Sequence, residues 1–122
     1  MTTPPQKNPP ATPTIPLSPD ARAAYQNLYD KIQAEIDGTM DPVALAALNA
    51  MQPQVDDVLT KDALYKLSQN TALFAALRQQ ISDVNNGLQA LKAQIASTAS
   101  HFAMAGDIIA AINKILTLIP AV

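Results

Sequence analysis

LSQNTALFAALRQQISDVNNGLQALKAQIASTASHFAMAGDIIAAINKILTLI, residues 67–119, is the stretch on which the reading of this chain turns. Leu67, Phe74, Ile81, Leu88, Ile95, Phe102, Ile109 and Leu116 recur every seven residues, and all are large and apolar. Midway between them stand Asn70, Leu77, Val84, Leu91, Thr98, Ala105, Ile112 and Ile119, apolar in six of eight cases. These are the a and d positions of a heptad pattern, which keeps one face of a helix turned toward a partner. The expected site is an interaction seam made of Phe74, Leu77, Ile81, Val84, Leu88, Leu91, Ile95, Phe102, Ile108, Ile109, Ile112, Ile115, Leu116 and Ile119. Asn85-Asn86-Gly87 is turn-like, and Gly106-Asp107 could end one helix and cap the next. Because the heptad phase crosses Gly87 unshifted, continuity is expected there; at Gly106 the two outcomes balance.

Upstream, Ser18 can cap a helix, Pro19 fits its first position, and Asp20 suits the positive end of its dipole. Tyr25, Leu28, Tyr29, Ile32 and Ile36 then follow at helical spacing until Gly38. Asp41 and Pro42 repeat the start signal ahead of Val43, Leu45, Leu48 and Met51. Pro53 should kink or split this helix, with Thr60 able to cap the resumed portion. The predicted helices are 19–37, 42–69 and 71–119, an all-α antiparallel hairpin or three-helix bundle whose last helix is long and coiled-coil-like.

Those lengths do not match. At about 1.5 Å per residue the three helices span roughly 28, 42 and 73 Å, so the first two cannot cover the end of the third. That end carries Phe102, Ile108, Ile109, Ile112, Ile115, Leu116, Leu118 and Ile119, and each large side chain left in water forgoes about 1.5–3 kcal/mol. It calls for a second copy, another helical protein, a lipid surface, or its own helix folded back at Gly106. Few charges flank the seam, whereas Ala90, Ala93, Ala96, Ala99, Ala103, Ala110 and Ala111 let backbones approach closely.

Residues 1–18 hold six of the ten prolines among threonines, too little apolar surface to offset ordering entropy, and are expected to form a disordered tail. They contain PxxP runs at 10–13 and 13–16 and no apolar run of the kind a cleavable signal needs. The cellular site is open: cytoplasmic, or exported by a signal-independent route. A net charge of −2 with scattered basic residues argues against nucleic acid as a partner.

The chemistry is sparse. There is no Cys, and His101 is the only histidine, expected to face solvent or cap a helix. The acidic groups Glu35-Asp37-Asp41 and Asp56-Asp57-Asp62 lack the alternating spacing of a calcium loop. No catalytic, cofactor-binding or metal-ligating residue is expected. The reading from sequence is a non-enzymatic interaction or structural protein that self-associates, or pairs with a helical partner, through its C-terminal helix. The alternative is an amphipathic protein that coats a lipid surface, as a pore-forming component or a granule coat.

Overall fold

The structure is a computed structural model in which residues 17–68 and 70–118 are described. The Pro-rich segment up to residue 16, with its PxxP runs, and the seam residue Ile119 lie outside the described residues. Among those described, the chain is all-helical: α1 (Pro19–Gly38), α2 (Pro42–Ser68), α3 (Thr71–Ser97) and α4 (Ala105–Leu118), with a 3-10 turn at Ala99–His101. Each helix packs on its neighbours in sequence, and α4 returns against α1 to close the ring. The architecture is an up-down-up-down four-helix bundle.

Local chemistry starts each helix. Ser18 is extended and its hydroxyl accepts the Ala21 N–H at 3.1 Å, with Pro19 occupying the first helical position. Asp41 Oδ1 accepts the Val43 and Ala44 N–H groups at 2.9 and 3.4 Å. Asn70, expected at a d position, instead caps α3 by accepting from Ala72 and Leu73 at 2.9 and 3.1 Å. Leu17, expected in the tail, is 2% exposed and belongs to the core. Its N–H donates to Asp62 Oδ1 at 3.3 Å, and Asp62 Oδ2 takes Arg22 Nη1 at 2.7 Å, which fixes the start of α1 against α2.

α2 runs through Pro53 without a break. A mid-helix proline removes one backbone hydrogen bond at a cost of about 3 kcal/mol. Met51, Val55, Val58 and Leu59 on the same stretch are buried, and each such side chain contributes about 1.5–3 kcal/mol, so packing overrides the local signal. α3 is equally continuous through Gly87, where a Cβ would stand 3.1 Å from Met51 Cε. The glycine marks a close approach of α3 to α2 rather than a turn.

The main departure from expectation lies further on. The predicted 71–119 helix ends at Ser97, and a short connection turns the chain back so that α4 runs antiparallel to α3. Gly106 is not the break; it sits inside the first turn of α4. The turn is fixed from outside: Glu35, 1% exposed on α1, accepts the Ala103 and Met104 N–H groups at 3.0 and 2.7 Å. Phe102 is buried beside it, and His101 Nδ1 lies 2.8 Å from Asp41 Oδ2. The length mismatch is thereby resolved within the chain.

Candidate functional site

Folding back gives α4 two working faces. Ile108, Ala111, Ile112 and Ile115 point into the bundle. This inner stripe differs from the one the heptad predicts, because the connection at 98–104 resets the phase: Ile109 and Leu116, in line with Ile95 by sevens, are only partly buried. Of the other seam residues, Phe74, Leu77, Ile81, Val84, Leu88, Leu91, Ile95 and Phe102 are all buried inside the chain. The structure thus brings the described seam residues into one bundle and spends them on intrachain packing.

The second face of α4 lies alongside α1. Asp107, Ala110, Lys114 and Leu118, at spacings of three, four and four residues, fall on one side of the helix. With Ala111 they form one wall of an open groove of about 620 Å³; Asp20, Ala23, Ala24, Asn27 and Lys31 of α1 form the other. Alanines make the floor, which lets the two helices sit close and leaves a trough above them. Leu118 is 37% exposed at its end. Among the described residues, none of Asp20, Lys31, Asp107 and Lys114 takes part in an ion pair.

This groove was outside the sequence reading, because it exists only once α4 lies against α1. The signal within α4 was nonetheless present: two opposite charges two turns apart, with alanine between them on the same face. Near the C-terminal end of α2, Leu67, the first residue of the heptad series, is 82% exposed and Leu64 57%.

The hydrogen bond to His101, helped by the Val43 and Ala44 amides, holds the Asp41 carboxyl below the usual carboxylate range. Lys61 and Gln80 do the same for Asp57, and Lys61 is raised in return. Burial pushes the Tyr25 phenol up. Among the described residues, no group of three His, Cys, Asp or Glu is placed to hold a metal ion, and no helix is long and apolar enough to cross a membrane.

The chain matches no protein-family model, no curated protein and no solved structure. The class defined by its own geometry is a four-helix bundle with an open groove between its first and last helices.

Proposed function

We propose that this chain is a non-enzymatic helical interaction protein that self-associates through its C-terminal helix, using the outer stripe of α4 rather than the inner one. The observation that carries the reading is the α1–α4 groove. It combines an alanine floor, which allows close backbone approach, with four charges that form no ion pair among the described residues and one exposed leucine. Exposed single charges are ordinary, but both signs placed around a small-residue trough suit another helix of mixed charge better than open solvent.

Light scattering after size exclusion on the full chain tests this. A concentration-dependent shift from monomer to dimer is expected. A chain that stays monodisperse and monomeric up to about 1 mM has no useful self-affinity, and the reading falls. Co-flotation of such a monomer with anionic vesicles would move the assignment to a lipid surface, where α4 would have to leave the bundle to present its inner stripe.

A further inference from the structure

The outer stripe of α4 fixes more than the existence of an interface. Asp107 and Lys114 lie seven residues apart, about 10.5 Å along the helix, and the point midway between them falls between Ala110 and Ala111. A two-fold axis through that point, perpendicular to the helix, matches residue 107 of one copy with 114 of the other, and 114 with 107.

We infer that two copies of this chain meet by antiparallel packing of α4 on α4, centred between Ala110 and Ala111, with Asp107 of each facing Lys114 of the partner subunit. This rests on the self-association proposed above and specifies its geometry. An isologous contact requires a self-complementary surface, and the order acid, small residue, base provides one only when the helices run antiparallel. Parallel packing sets Asp107 beside its own copy and Lys114 beside its own copy, which is repulsive at both ends. The alanines at the crossing allow the helix axes to approach to about 8 Å, the near end of the usual range. Asp107 and Lys114 are both exposed in the single chain, so nothing in the bundle has to open for them to pair.

Charge exchange tests the geometry directly. D107K and K114D are each expected to weaken the dimer about tenfold or more, since two attractive pairs become repulsive. The double exchange D107K/K114D should return to within about threefold of the original. The decisive sample is an equimolar mixture of the two single variants: one copy then presents two lysines and the other two aspartates, and a heterodimer should form where each variant alone does not. Circular dichroism and thermal unfolding of each variant verify that the bundle is intact. If the unaltered chain dimerises and both single variants dimerise equally well, the antiparallel pairing is overturned while self-association stands. If the unaltered chain is monomeric, self-association itself fails.

Discussion

The phenolic hydroxyl of Tyr25 donates to Oδ1 of Asn85 at the centre of the bundle, joining α1 to α3 across its diagonal. Both side chains are 0% exposed. A buried polar pair of this kind fixes how the two helices are set against each other, because sliding either helix by one turn leaves polar atoms in an apolar core. Tyr25→Phe keeps the ring and removes the donor. It should cost about 1–3 kcal/mol, lowering Tm by roughly 5–15 °C in a domain of this size, read by thermal and urea unfolding. Burial also keeps this phenol neutral beyond the ordinary tyrosine range, so ultraviolet titration should show Tyr25 ionising last, as the fold gives way. Its folded pKa is raised, so its contribution is present below about pH 10 and lost as the pH climbs above that.

Glu35 should govern the attachment of α4. Its two carboxylate oxygens accept the two N–H groups that open the last helix, at a site 1% exposed to solvent. Glu35→Ala strands both donors and should cost about 2–4 kcal/mol; Glu35→Gln, which keeps one acceptor oxygen, should cost about half as much. Native-state hydrogen exchange gives the more specific readout. Amides of 103–118 should lose protection before those of α2 and α3, whereas a uniform loss would show that Glu35 supports the whole bundle equally.

Asp41 and His101 should leave a mark on the acid side. The Asp41 carboxyl is depressed, chiefly by its hydrogen bond to His101. A depressed carboxylate contributes stability that is fully present above its unfolded value of about 4 and disappears as pH falls through the folded value. His101→Ala should raise the Asp41 pKa toward normal, without fully restoring it because the Val43 and Ala44 amides remain. Carboxyl NMR titration of Asp41 in both proteins reads the shift. Near neutral pH the substitution should change stability little, since the pair is exposed.

Gly106 and Gly87 should respond differently to alanine. At Gly106 nothing lies within 4 Å of the added Cβ, so Gly106→Ala should stabilise by about 0.5–1 kcal/mol through helix propensity alone. At Gly87 the same gain is set against a 3.1 Å contact with Met51 Cε, the far end of a flexible side chain. Gly87→Ala should therefore come out smaller than Gly106→Ala, and a bulkier Gly87→Leu should destabilise by about 1–3 kcal/mol through overpacking. Denaturant midpoints of the three variants give the ordering.

What could be read from the sequence was what neighbouring residues decide. Ser18 with Pro19, Asp41 with Pro42, and the stripe from Phe74 to Ile95 act within a few residues, and the helices form where those signals place them. The end of α3 is different. Thr98–Met104 contains neither Gly nor Pro, so nothing local demands a break; the demand comes from Glu35, 68 and 69 residues away. Pro53 is the converse case, a strong local signal overruled by the packing of Val55 and Val58. Asn85 read as part of a turn-like Asn-Asn-Gly run and proved to be a fully buried helical residue, because its partner Tyr25 is 60 residues distant. The α1–α4 groove needed ring closure to exist at all.

Ring closure between α1 and α4 also sets an order of events during synthesis. As the chain leaves the ribosome, α1, α2 and α3 can assemble while the faces that α4 will cover still meet water. The apolar inner stripe of α4 and the two amides that Glu35 receives arrive only when residues 103–118 emerge. Until then the three-helix shell holds the Glu35 carboxylate at its rim without the two donors it receives in the finished fold.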